Sequence, residues 1–318
     1  MALVSTGSTT GDGSPGDRVL VTPKAWLPIG AAGVTLLLWA SAFVAVRHLG
    51  RTVTPGALSL GRLLVAGTAL SVLLSTRKRT RLTRNDVLLL LLCGVTWFGV
   101  YNLALNEAER RIDAATAAML VQIGPILVAL LAALFLGEKL TAWLLVGIGV
   151  AFTGVVVIGL ALSEGGSSDV VGVLLTLLAA STYAVGVVCQ KPLLRRLSPL
   201  EVICYACIIG AVVCLPWTGD LVQSVQHVDT STILLVIYLG LFPTALAFTT
   251  WAFALSHTGA SNLSVTTFLV PLITTLLAWL LLDEVPPGAV YLGGALCVAG
   301  VLLSRRKPRT REIVCEPG

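Results

Sequence analysis

The chain has 318 residues, of which 56% are hydrophobic and only 12% are charged, about half the charged share of an average soluble domain. A soluble fold of this size could not keep so much apolar surface away from water, so the composition excludes an ordinary soluble protein and predicts a membrane protein surrounded by the lipid bilayer. The net charge of +5 follows from the membrane topology described below and gives no reason to expect a nucleic-acid partner.

Ten apolar runs follow one another along the chain, each about long enough to cross a bilayer core roughly 30 Å thick. The Gly-, Ser- and Thr-rich residues 1–25 precede them and are predicted to form a disordered cytoplasmic tail, because they lack the apolar core of a signal peptide. The predicted fold class is an all-α membrane protein with ten transmembrane helices. The predicted spans are 26–46, 55–75, 86–105, 114–136, 141–162, 170–190, 199–217, 231–253, 260–282 and 287–304.

The basic residues predict the orientation, because Lys and Arg near span ends are retained in the cytoplasm. With the N-terminus inside, 16 of the 21 Lys and Arg residues lie in cytoplasmic segments, including a basic tail at 305–318. Only Arg47, Arg51, Arg110 and Arg111 lie outside, and Arg62 lies within span 2. We therefore predict a multi-pass protein of the plasma membrane with both termini in the cytoplasm.

The second half of the chain repeats the first. A shift of 146 residues places spans 3–5 on spans 8–10 without a gap, and it aligns Pro125 with Pro271 and Glu138 with Glu284. A shift of 144 residues aligns the first two spans with the sixth and seventh. Because each unit has five spans, an odd number, the second unit must be inverted, as in many secondary carriers. The predicted repeats are 26–162 and 169–304.

Particular segments of both halves resemble a known family. They are LLLWASAFVAVR in span 1, TPGALSLGRLL in span 2 and the run AATAAMLVQIGPILVALLAALFLGEKLT, whose Gly-Glu ending is matched by Asp-Glu in the second half. On these segments the chain resembles the EamA type of the drug/metabolite transporter superfamily, over residues 30–304. The resemblance implies a ten-helix carrier that exports or exchanges metabolites, amino acids or drugs.

Two prolines are candidate hinges. Pro125 and Pro271 lie near the middles of spans 4 and 9, and each removes the hydrogen bond to a carbonyl four residues back, Val121 or Thr267. In lipid such a carbonyl must find another donor or face a watery cavity. We favour hinges at the wall of a central cavity, and a kink that serves only packing is the alternative.

Arg62 is a candidate solute ligand because a cation within a span is costly unless it is paired or hydrated. One interpretation makes it the counter-charge of a carboxylate or phosphate on the solute. The alternative is an arginine that snorkels or bonds to carbonyls of neighbouring helices.

Glu138 and Glu284 end spans 4 and 9, just before the next helix, whose N-terminal amides could accept a carboxylate cap. Capping of the short turn is the favoured role, and a gate or a proton-coupling group is the alternative. The sequence places no carboxylate near the middle of a span, so it does not indicate proton coupling.

Polar and amphipathic side chains in or next to the spans are the other candidates for the cavity wall. Pockets for small molecules are mostly apolar with a few fixed polar groups. Hydrogen bonding between helices and anchoring at the membrane interface are the competing explanations. The candidates are Trp39, Ser41, Asn102, Asn106, Gln122, Tyr183 and Trp251.

Small residues recur on one face of spans 5 and 10, at Gly147 and Gly154 and again at Gly293 and Gly300. Small residues let transmembrane helices approach closely, so we predict close packing of these helices.

Other function classes find little support. Ser261 follows a Gly-Ala pair as in some intramembrane hydrolases, but His257 is too close in sequence to act as a base on a separate span. No phosphate-binding GxxxxGK[ST] motif occurs. The cysteine pair Cys204 and Cys207 lies within a span without a second ligand pair, so no metal or cofactor is predicted. A passive channel or a membrane scaffold is the alternative to a carrier of a small-molecule solute. The oligomeric state stays open, with a homodimer as one candidate.

Overall fold

The computed structural model describes residues 26–49, 52–111, 120–162, 169–282 and 287–306 of the chain, and all regular structure in these ranges is helical. The predicted N-terminal tail, Glu284 and residues 307–318 of the basic C-terminal tail lie outside the described residues.

The helices follow the predicted order. The first half contains α1 (Trp26–Leu49), α2 (Pro55–Ser75), α3 (Arg84–Ala108), α4 (Gly124–Leu136) and α5 (Ala142–Leu162). The second half contains α6 (Val170–Leu193), α7 (Pro199–Val213), α8 (Leu215–His227), α9 (Thr230–His257), α10 and α11 (Gly288–Ser304). Helix α10 consists of Ala260–Ser264, a 3-10 segment Val265–Leu269 and Val270–Leu282.

The lengths and apolar compositions of the helices confirm an all-α membrane protein. Seven helices of the described ranges, α1, α2, α3, α5, α6, α9 and α10, are long and apolar enough to cross a membrane. Helices α7 and α8 reach that length only as a pair that is bent by 59°, and α4 and α11 are shorter apolar helices. The count of ten crossings therefore stays a prediction.

Two capping boxes start α3 and α7. The Thr83 and Ser198 side chains accept hydrogen bonds from the backbone N–H groups of Asp86 and Glu201, whose carboxylates accept from the cap residues in return. The Asp86 carboxylate also binds Arg196 Nη1 at 2.7 Å. The start of α3 is therefore tied to the loop between α6 and α7, and so the two halves meet at this end of the bundle.

The helix boundaries of the two halves repeat in the registers found in the sequence. When α1 is shifted by 144 residues, its first and last residues coincide with those of α6. When α3 is shifted by 146 residues, its first residue coincides with that of α9. Each of α3 and α9 contains a π-helical segment, Gly94–Val100 and Gly240–Leu246, and these segments coincide in the same register. The composition of the spans did not predict the π segments.

Helices α5 and α11 pack most closely through their glycines. A Cβ at Gly154 would lie 2.5 Å from the carbonyl oxygen of Gly293, and one at Gly147 would lie 2.6 Å from that of Gly300. Only residues without a side chain allow the two backbones to approach in this way. The predicted packing role of these glycines is confirmed.

Candidate functional site

A cavity of about 110 Å³ lies at the centre of the bundle, between the two halves. Its wall is formed by α1, α2, α3, the residues just before α4, α6, α9 and α10. The structure brings together six of the eight predicted wall residues, which are Trp39, Arg62, Asn102, Asn106, Gln122 and Tyr183.

One wall of the cavity is aromatic. The ring of Trp39 lies 5.2 Å from that of Phe248 and 6.3 Å from that of Trp97, whose ring lies 5.3 Å from that of Tyr183. These edge-on contacts fix the orientation of the rings. The Trp39 indole Nε1 is buried and makes no hydrogen bond to a described residue. The wall therefore offers mainly apolar ring faces, and the Trp39 N–H lies behind them without a partner among the described residues.

Arg62 contributes a buried positive charge to the cavity, and its side chain is held at one nitrogen. Arg62 is 7% exposed, and Nε donates to the hydroxyl of Thr244 at 2.9 Å. The Thr244 hydroxyl donates in turn to the carbonyl of Leu239, five residues back in the π-helical turn of α9. Among the described residues no carboxylate forms an ion pair with Arg62, and no acceptor bonds to its two terminal nitrogens. The two terminal nitrogens, with their four N–H donors, therefore remain for a ligand.

The second half of α3 lines the cavity with polar groups on one face. Asn102 Nδ2 donates to the carbonyl of Phe98 at 2.9 Å, and Asn106 Nδ2 donates to the Ser59 hydroxyl on α2 at 3.0 Å. These bonds hold the amides in place, because each buried side chain has at least one fixed partner.

Glu109, the residue after the last of α3, also lines the cavity and was missed in the sequence. It follows Asn102 by seven residues and Asn106 by three, which is the spacing of one helical face. That spacing could have identified Glu109, but the predicted span ended at residue 105. Burial raises the pKa of the Glu109 carboxyl to about 7.

The helices that carry the two prolines are interrupted beside the cavity. Pro125 is the second residue of α4 and follows a turn at 122–123, and Pro271 follows the 3-10 segment of α10. Proline is tolerated at such a helix start because the amide it lacks would have no partner there. The Thr267 carbonyl, expected to lack its helical donor, accepts a hydrogen bond from Gln122 Nε2 at 2.8 Å. Gln122 thus connects the two interrupted helices.

Two predicted wall residues lie elsewhere. Ser41 is two residues from Trp39, or about 200° around the helix, and so it faces away from the cavity. Its hydroxyl bonds to the Leu38 carbonyl and the Tyr238 hydroxyl at 2.8 and 2.7 Å. Trp251 is fully buried, and its ring lies 5.0 Å from that of Trp39, outside the cavity lining. Trp251 therefore supports the wall from outside, whereas Ser41 connects α1 to α9.

Glu138 caps a different helix from the expected one. Its carboxylate accepts hydrogen bonds from the backbone N–H groups of Ala260 and Ser261 at 2.6 and 3.0 Å and from the Ser261 hydroxyl at 2.7 Å. These groups start α10 in the second half, whereas the sequence predicted the start of α5. Gly137, with φ of 67°, ends α4 in the left-handed conformation. Glu138 therefore links the two halves.

The Ser261 hydroxyl is thus bonded to a carboxylate, and His257 Nδ1 lies 2.9 Å from the Ser256 hydroxyl instead. This pairing gives no support to a hydrolase that uses Ser261 and His257.

The membrane helices enclose a small cavity with an aromatic wall and a few fixed polar groups. This arrangement is typical of membrane proteins that bind a small solute. The model of the EamA-like transporter family matches residues 26–160 and 170–306. The chain therefore belongs to the EamA-like transporter family and is a membrane transporter, as the resemblance implied.

Known relatives agree with this assignment. The chain is 35% identical over 284 residues to a "Probable terminal-alkyne amino-acid exporter" of Streptantibioticus cattleyicolor, covering 89% of this chain and 95% of that protein. It is 26% identical over 210 residues to a "Probable amino-acid metabolite efflux pump" of Escherichia coli K12, covering 63% of this chain and 70% of that protein. A crystal structure with 21% sequence identity matches 89% of this chain and 97% of its own at a TM-score of 0.73, which supports the fold.

Proposed function

We propose that the chain is a secondary carrier that exports or exchanges amino acids with apolar side chains, by alternating access between two inverted repeats. The repeats are residues 26–162 and 169–304. The observation that carries the proposal is the buried Arg62, which lies without a carboxylate partner among the described residues, in a cavity that both halves line.

The chemistry of the wall supports an amino acid as the solute. A guanidinium with two free nitrogens binds a carboxylate in a bidentate manner. The rings of Trp39, Trp97 and Phe248 offer an apolar surface of the kind that takes up an aliphatic or aromatic side chain. The names of two relatives also refer to amino acids.

With both termini in the cytoplasm, the C-terminal ends of α1 and α3, and hence Glu109, would lie at the outer face of the plasma membrane. Glu138 and the start of α10 would then lie at the cytoplasmic end. In this orientation the Glu138 bonds would hold the cytoplasmic ends of the two halves together and close the cavity toward the cytoplasm. Opening toward the cytoplasm would break these bonds and bend α4 and α10 near Pro125 and Pro271.

Counterflow in proteoliposomes tests the solute chemistry. We expect the wild type to exchange radiolabelled L-phenylalanine with saturation and to be inhibited by other apolar amino acids, but not by phenylalaninol, which lacks the carboxylate. The Arg62→Ala variant should lose at least tenfold in apparent affinity, because the solute carboxylate would have no buried counter-charge.

The matched control is Arg110→Ala, which removes an exposed arginine whose partner is Glu107 at 3.7 Å. Its kinetics should equal those of the wild type. A folded Arg62→Ala variant with wild-type affinity for L-phenylalanine, or equal inhibition by phenylalaninol, would refute the role of Arg62. Transport that rises linearly with concentration and shows no exchange would instead indicate a passive channel.

A further inference from the structure

The carboxylate of Glu109 differs from the other acidic groups at its end of the bundle. It is partly buried in the cavity wall, and among the described residues it has no ion-pair partner and accepts no hydrogen bond. The neighbouring Glu107 binds Arg111 at 3.0 Å, and Arg111 also binds Asp169 at 3.3 Å. The exposed charges of this region are thus matched with one another, and Glu109 is left facing the cavity.

Few titratable groups share the cavity with Glu109. Arg62 comes from α2, Tyr101 from α3 itself and Tyr183 from α6. The described lining residues of α1, α9, α10 and the segment before α4 are uncharged, for example Trp39 and Thr267. Glu109 and Arg62 are therefore the acidic and the basic group of one small cavity.

Such a pair matches the two charged groups of an amino acid. The guanidinium of Arg62 suits the carboxylate of the solute, and an ionised Glu109 suits its ammonium group. The pKa of Glu109, raised by burial to about 7, means that this carboxyl exchanges its proton near neutral pH. It is protonated below that value and ionised above it, so lower pH opposes binding of the ammonium group.

We propose that Glu109 is the proton-binding residue of the transport cycle, at which a proton and the ammonium group of the solute compete for one carboxylate. This inference rests on the proposed carrier function. When the solute binds, Glu109 releases its proton to water and pairs with the ammonium group, and no bond within the solute changes. When the solute leaves on the outside, a proton takes its place and returns with the carrier. One proton then enters for each solute exported, so an inward proton gradient drives export.

The test compares wild type, Glu109→Gln, Glu109→Asp and the control Glu107→Gln in proteoliposomes with radiolabelled L-phenylalanine. In the wild type and in Glu107→Gln, an imposed proton gradient should accelerate transport against the solute gradient at least fivefold. Their KM at symmetric pH should fall as pH rises through about 7, as expected for a carboxylate with that pKa. Glu109→Gln should lose both responses, and Glu109→Asp should keep them with a shifted midpoint.

A Glu109→Gln variant that responds to the proton gradient like the wild type would overturn the proposal. So would a wild type that catalyses counterflow but shows no effect of the gradient. Failure of wild-type counterflow with every amino acid tested would instead refute the carrier function on which the inference rests.

If Glu109→Gln does not transport, proton release on solute binding can be measured with the purified protein. At pH 7 in weak buffer, binding of L-phenylalanine to the wild type and to Glu107→Gln should release about half a proton per solute, since a group with a pKa near the pH is half protonated. Monodisperse Glu109→Gln should release none. Absence of release from a wild type that binds the amino acid would overturn the proposal.

Discussion

The contact between α5 and α11 leaves no room for a methyl group at Gly154. A Cβ at this position would lie 2.5 Å from the Gly293 carbonyl oxygen and 2.7 Å from the Cys297 amide nitrogen, whereas ordinary van der Waals contacts begin at 3.4 Å. Both neighbours are backbone atoms of a second helix and cannot turn away as a flexible side chain could. In Gly154→Ala the two helices must therefore separate by roughly 1 Å, with loss of dispersion contacts along the interface. We expect this overpacking to lower the free energy of unfolding by about 1–3 kcal/mol.

Gly149 provides the matched control on the same helix, because a Cβ there has no neighbour within 4 Å. Alanine is the better helix former, so Gly149→Ala should unfold at or above the wild-type temperature. Thermal unfolding of the purified proteins in one detergent measures the difference. Equal unfolding temperatures for Gly154→Ala and Gly149→Ala would refute the close approach of the two backbones.

Three further substitutions test the other contacts. Glu138→Ala removes the acceptor of three hydrogen bonds at the start of α10, so the Vmax of counterflow should fall while KM changes little. An unchanged Vmax would contradict a gating role of Glu138. Trp39→Ala removes the central ring of the aromatic wall and should raise the KM for L-phenylalanine about fivefold, equivalent to about 1 kcal/mol. Equal KM values for the variant and the wild type would mean that the solute does not contact this ring. Asp86→Ala removes one side of a capping box and the bond to Arg196, so it should lower the free energy of unfolding by about 1 kcal/mol. An unchanged temperature of thermal unfolding would contradict this contribution.

The order of the helices was predictable because it depends on long apolar runs and on a repeated register. The two register shifts found in the sequence also hold for helix boundaries in the structure. The shifted bounds of α1 coincide with those of α6, and the shifted start of α3 coincides with that of α9. The π segments were not predictable, because such a segment adds one residue to a turn and leaves composition and apolar character unchanged. Their consequence is local but functional, since Thr244, the partner of Arg62, lies within one of them.

The cavity was predicted in part. Trp39, Arg62 and Gln122 were found because polar or amphipathic groups within apolar spans are unusual. Helical periodicity, applied from Trp39 and from Asn102, would have excluded Ser41 and included Glu109. The partner of Glu138 was not predictable, because contact with the start of α10 depends on how two helices distant in sequence pack together.

The proposal that a small solute crosses through the central cavity by alternating access is tested most directly by counterflow with the wild-type protein. Proteoliposomes loaded with unlabelled L-phenylalanine should accumulate external radiolabelled L-phenylalanine transiently above its equilibrium level, and the initial rate should saturate with concentration. Uptake without accumulation across the whole set of apolar amino acids, or a rate that never saturates, would contradict a carrier of this solute class.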